Sequence, residues 1–291
     1  MKKWNYMIKK VLVFVLLYCI SAVIGEGVVI GILFGMGYDP LHGVLPTGQF
    51  GALLPYYGFL FFSLVTVFYC RFVEKRTLKS IGFSANVADY LLGALLAVVC
   101  LTAIMGLGCL CGSMELLGVN TKVEVPYTFL WLLAFAIQGA AEEIMCRGFL
   151  LGSLKKETSV PMAIFVSSTA FAAPHFPSLW ESDWSYAIVG TLNLYLISVL
   201  FSVLALRRSG IWAACGLHSV WNFVLYWVMG LTLSGNSSSF QGILLFREKN
   251  ADLWNGAEYG IEAGFLTTVV LGITLLVLEI RQRRKGENGV S

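Results

Sequence analysis

Charge is what this 291-residue sequence has least of: Asp, Glu, Lys and Arg make up 13% of it, about half the roughly 25% usual in soluble domains. With 57% apolar residues and a mean hydropathy of +0.77, that shortage excludes an ordinary water-soluble globule. Histidine is scarcer still, with three copies. The seven cysteines (Cys19, Cys70, Cys100, Cys109, Cys111, Cys146 and Cys215) are odd in number, form no C-x-x-C and sit in or at the ends of apolar runs. They read as small buried hydrophobes, not as a disulfide framework or a thiol redox pair. No H-E-x-x-H occurs, so the helical zinc motif is absent. No internal repeat is visible and no soluble domain flanks the apolar part. A net charge of +3 gives no reason to expect a nucleic-acid partner.

What is abundant is long apolar blocks, the signature of membrane helices. Eight spans are predicted, at 11–36, 50–70, 89–118, 127–153, 161–177, 186–206, 210–234 and 261–280. The fifth is short and holds Pro174, which predicts a kink or an early break. The first follows Lys2-Lys3 like a signal peptide, but its apolar run exceeds a typical h-region and ends in no A-x-A site, so it reads as a transmembrane helix. With the N-terminus inside, alternate connections place sixteen Lys and Arg on the inner side and only Lys122, Arg247 and Lys249 outside. The expectation is a single membrane-embedded domain over 1–291, multi-pass in the cell membrane, all-α, with both termini cytoplasmic. The outer connection 235–260 is the one long polar loop, either mobile or a short cap. The tail Arg281–Lys285 reads as a membrane-surface anchor.

Within this apolar background, Glu142, Glu143 and Arg147 lie inside the fourth span, His175 in the fifth, and His218 with Asn222 in the seventh. An intramembrane charge costs about 2.5–3.5 kcal/mol or more, so three within six residues imply use or pairing. Glu143 and Arg147 are i and i+4 and share a helix face, which makes them a structural pair. Glu142 points about 100° away and stays free. Desolvation would suit an unpaired carboxylate to general-base work. At a rise of about 1.5 Å per residue, Glu142, His175, His218 and Asn222 fall within about 10 Å of one another in depth. Each residue alone also has a plain reading, as a helix-bridging histidine or an ion-pair staple; their joint occurrence points to an active site. Glu26 reads as lining a water-filled entrance, Asn193 as bridging helices, and His42 as a solvated loop residue.

The set Glu142-Glu143-x-x-x-Arg147, Phe171-x-x-x-His175 and His218-x-x-x-Asn222, with the stretch Leu206–Phe223, resembles the CPBP family of intramembrane proteases, the CAAX-protease and bacteriocin-processing (Abi) group. The resemblance covers about residues 126–225. It implies about eight transmembrane helices around an intramembrane catalytic cavity open toward the cytoplasm. It further implies Glu142 as the base activating water, assisted by His175, with His218 and Asn222 stabilising the oxyanion. Glu143 and Arg147 would support the structure. A metal is an open alternative: Glu142, His175 and His218 are of the right types for a His₂Glu zinc set, so zinc is weighed as a cofactor beside metal-free, glutamate-activated water. The expected partners are the lipid bilayer and a peptide or membrane-anchored protein substrate. Two other functions remain open: a non-catalytic membrane protein, for which the resemblance suggests bacteriocin immunity, and a proton-coupled transporter. No paired halves or matched broken helices support the transporter.

Overall fold

A computed structural model describes residues 2–84, 86–208, 210–237 and 240–288. Ser209, within the Leu206–Phe223 stretch, and Ser238 and Ser239, within the polar connection, lie outside the described residues. The chain is overwhelmingly helical. Helix α1 spans Lys2–Gly35, α2 Gly48–Tyr57, α3 Leu60–Phe68, α4 Val87–Leu110 and α5 Val125–Glu143. After these come α6 (Val160–Ala172), the short α7 (Phe176–Trp180), α8 (Trp184–Arg207), α9 (Trp212–Phe223) and α10 (Phe265–Asn288). Among the described residues, six helical stretches are long and apolar enough to cross a membrane: 3–35, 48–73, 88–110, 125–154, 184–207 and 265–284. The fifth and seventh predicted spans are shorter. Helix α6 stops at Ala172, a 3-10 turn holding Pro174 follows, and α7 resumes at Phe176. The break falls where proline removes a helical donor and clashes with the preceding turn.

The third predicted span, 89–118, runs too far. Helix α4 ends at Leu110, Gly112 turns the chain at φ +77°, and Met114–Val119 forms strand β1. It pairs antiparallel with β2 (Leu244–Glu248) from the 235–260 connection, with Glu115 opposite its ion-pair partner Arg247. The polar loop is therefore a built cap, and the all-α expectation holds with this one two-stranded addition.

Cross-bundle contacts define two ends. At one, the Tyr6 hydroxyl donates to the Ser153 carbonyl (3.4 Å), Lys10 pairs with Glu74, Ile211 N–H donates to the Gly82 carbonyl (3.0 Å), Arg208 meets Asp89 (3.4 Å) and Arg207 donates to the Leu278 carbonyl (2.9 Å). Both α1's start and α10's last turns lie here, together with most cations. At the other end Trp131 donates to Gln49 (3.0 Å), Trp227 to Thr128 (3.1 Å) and Ser113 to Asp252 (3.0 Å), beneath the two-stranded cap.

Two close approaches fix α9, the helix that carries His218 and Asn222. It packs on α4 backbone to backbone: a Cβ added at Gly93 would stand 1.9 Å from the Ala213 carbonyl oxygen, and one at Gly216 would stand 2.0 Å from that of Tyr90. Small residues at such crossings let van der Waals contact act where lipid supplies no hydrophobic drive. Gly216→Ala is expected to destabilise the protein by about 1–3 kcal/mol, the usual cost of overpacking. Thermal unfolding in detergent measures it, and an unchanged midpoint would show the crossing to be loose.

Candidate active site

The site grows from a change of helical pitch. Helix α5 is regular to Glu143, then widens into a π segment over Ile144–Leu151. Such bulges strand backbone carbonyls. Arg76, arriving from the α3–α4 connection, donates to the carbonyls of Gly148 (2.9 Å) and Phe149 (3.5 Å) and to Ser153 Oγ (3.1 Å). Despite the widening, the i,i+4 pair forms: Arg147 Nη1 lies 2.9 Å from Glu143 Oε1, both side chains fully buried.

Arg147 does more than neutralise Glu143. Its Nη2 donates to the Ser198 carbonyl (3.0 Å) and hydroxyl on α8. The Phe171 and Phe201 rings flank the guanidinium at 4.8 and 4.9 Å. One cation thus ties α5, α6 and α8 together. Glu143 in turn has a second role that its sequence spacing did not reveal. His218 Nδ1 donates to Glu143 Oε1 (3.1 Å), and the imidazole stacks on Phe201 at 4.9 Å. A carboxylate can only accept, so this bond fixes the proton on Nδ1 and turns Nε2 toward Glu142, 3.9 Å away.

Glu142 stands apart from Arg147, as its angular offset predicted, and lines a cavity of about 580 Å³ together with His175, His218 and Asn222. The four residues read as catalytic therefore converge on one space. Their polar chain includes Gln138, which sequence reasoning missed. Asn222 Nδ2 donates to Gln138 Oε1 (2.9 Å), and Gln138 Nε2 donates to Glu142 Oε1 (3.0 Å). The available signal was its position one turn before Glu142, on the same face. Gln138→Leu keeps the volume and removes both bonds. If the cavity is catalytic, the substitution is expected to slow turnover on the order of tenfold, about one net hydrogen bond's worth, with folding yield unchanged; a rate equal to wild type would deny it a positioning role.

His175 sits in the 3-10 turn after α6, with Nδ1 bonded to the Phe171 carbonyl (3.1 Å). The Phe171 ring is 5.2 Å from His175 and 5.8 Å from His218, centroid to centroid. The His₂Glu zinc set is not assembled: among the described residues, no group of three His, Cys, Asp or Glu side chains is placed to hold a metal ion. Each imidazole uses Nδ1 for a bond within the protein, to the Phe171 carbonyl and to Glu143, which leaves Nε2 as the free nitrogen. Cys146 also lines the cavity and is buried from the protein's exterior.

The weaker candidates divide. Asn193 donates to the carbonyls of Glu262 and Gly264 (both 2.9 Å) and accepts from Thr268 (2.7 Å), joining α8 to the start of α10. Glu26 is exposed on α1 and lines no part of the cavity. His42 is exposed and pairs with Asp39 at 2.7 Å. Glu262, unremarked in the sequence because it opens an apolar run, does reach the cavity. It accepts from Trp221 Nε1 (3.1 Å) and from Ser234 N (2.7 Å) and Oγ (3.1 Å). Beyond the membrane helices, burial and the neighbouring Asp252 push the Glu248 carboxyl above its ordinary range.

Residues 124–224 match the family model described as Type II CAAX prenyl endopeptidase Rce1-like. The match covers about a third of the chain and contains Glu142, Glu143, Arg147, His175, His218 and Asn222. It is the CAAX-protease family that the three motifs resemble. No curated protein matches the chain. Six helical stretches among the described residues are able to cross a bilayer, so the chain is a multi-pass membrane protein, and its residues 124–224 are similar to a family of membrane-embedded endopeptidases.

Proposed function

We propose that this protein is an intramembrane endopeptidase that hydrolyses a peptide bond with water activated by Glu142. The observation that carries the reading is the division of labour between adjacent carboxylates. Glu143 is engaged through Oε1 by both Arg147 and His218, whereas Glu142 faces a cavity with His218 Nε2 3.9 Å away. Glu142 removes a proton from water as its oxygen attacks the substrate carbonyl carbon. The oxyanion of the tetrahedral intermediate is met by His218 Nε2–H, which requires the doubly protonated ring, and by the free Nδ2–H of Asn222. The C–N bond then breaks, and the proton on Glu142 passes to the leaving nitrogen, with His175 assisting at the cavity wall. Glu143 holds the His218 ring throughout, so it is a positioning residue as well as half of an ion pair.

No step passes through a metal, because the residues present do not gather as a ligand set. Purified protein is expected to keep cleaving peptide after thorough chelation, and His218→Ala is expected to lower kcat more than it raises KM. Elemental analysis beside the same assay checks both points. Zinc at one ion per chain, whose removal stops cleavage and whose return restores it, would overturn the metal-free mechanism.

A further inference from the structure

The cavity is closed on one side and open on the other. Toward the cation-rich end its floor is made by Phe14, Phe62, Met145 and Cys146, all buried. Its exposed lining is Pro55, Pro174, Asn236 and Ser237, at the end that carries the two-stranded cap. That rim is a held structure. Ser178 Oγ donates to the Ser234 carbonyl (3.3 Å), and the cavity-lining Glu262 takes both the N–H and the hydroxyl of Ser234. Glu262 also accepts from Trp221, one residue before Asn222, so the rim and the oxyanion side of the site share one carboxylate.

The mouth therefore lies at the end opposite the start of α1 and the last turns of α10. The cytoplasmic opening implied by family resemblance and the cytoplasmic termini implied by the cations place the mouth on contradictory sides. Sixteen Lys and Arg against three is the stronger constraint, because short loops rich in cations are retained on the inner face. We propose that the active site is reached from the extracytoplasmic face, and that its substrate is a polypeptide segment lying at or beyond the outer surface of the bilayer. Such a segment is an exported peptide or the outer juxtamembrane part of a membrane protein. Polar groups at the rim (Ser234, Asn236, Ser237) suit an extended backbone, and the aromatic wall of Tyr56, Phe59 and Phe62 suits an apolar side chain entering below it. The side of access rests on the cavity lining and charge alone; the substrate class rests on the protease reading.

Cysteine accessibility tests the side independently of activity. In a background with exposed Cys19, Cys109 and Cys111 replaced by Ala, Ser237→Cys and Lys156→Cys place a thiol at the rim and at the cation-rich end, both exposed positions. A membrane-impermeant maleimide on intact cells is expected to label Ser237→Cys and to leave Lys156→Cys unlabelled until the membrane is opened. The reverse pattern would overturn extracytoplasmic access whether or not the protein is a protease. Glu142-dependent fragments recovered from cells are expected to derive from segments outside the membrane. Fragments derived only from cytoplasmic segments would overturn the substrate class. Failure of the protease reading shows separately, as identical fragments with and without Glu142.

Discussion

Glu142→Gln is expected to reduce hydrolysis by about 10²–10⁴-fold, the usual contribution of a general base, while leaving the fold intact. The substitution keeps the side chain's size, and its amide oxygen still accepts from Gln138 Nε2, which now lies 3.0 Å from the carboxylate. It removes the carboxylate of the pair that Arg147 does not neutralise. Glu142 forms no bond to Arg147, so the buried network of α5, α6 and α8 does not depend on its charge. A rate assay on purified protein, run beside a thermal melt, separates the two consequences. A well-folded variant at wild-type rate would remove Glu142 from the mechanism.

Arg147→Ala has the opposite signature, loss of the protein before loss of the chemistry. Glu143 is fully buried and Arg147 is 3% exposed, and removing one partner of a buried pair typically costs about 3–5 kcal/mol because the other charge is left uncompensated. The substitution also removes two bonds to Ser198 and the cation between the Phe171 and Phe201 rings. The expected outcome is a collapse in folded yield and a lower unfolding midpoint, read by size-exclusion chromatography and thermal melts. Arg147→Lys should rescue only part of this, since a lysine supplies charge without the planar fork that spans Glu143 and Ser198. Glu143→Gln should be milder in stability yet still slow turnover, because it weakens the hold on His218 Nδ1. An Arg147→Ala protein as stable as wild type would contradict the reading of this pair as structural.

Helical periodicity made Glu143–Arg147 legible, because an i,i+4 pair depends only on local geometry and survived even a π widening. The separateness of Glu142 followed from the same rule, and Pro174 announced the break before His175 through the chemistry of proline alone. Gathering of Glu142, His175, His218 and Asn222 was anticipated through depth and family resemblance together. What stayed hidden was set by partners far along the chain. Ser198 on α8 completes the Arg147 site from 51 residues away, and Glu262 reaches the rim from an apolar run in which nothing marked it. Gly93 and Gly216 gave no sign of their crossing, because a small residue in a membrane helix looks the same at an interface and in lipid. Strand β1 was absorbed into a predicted span, since Leu116, Leu117 and Val119 prolong the apolar run beyond Gly112 and only the pairing with β2 distinguishes strand from helix.

The central claim, that Glu142 activates water to cut a peptide bond in or at the membrane, is tested most directly by comparing membrane and secreted peptides from cells carrying the wild-type chain and cells carrying equal amounts of folded Glu142→Gln protein. The expected result is fragments present with the wild type and missing with the variant, together with accumulation of their uncut precursor. Identical peptide profiles in the two strains would contradict it.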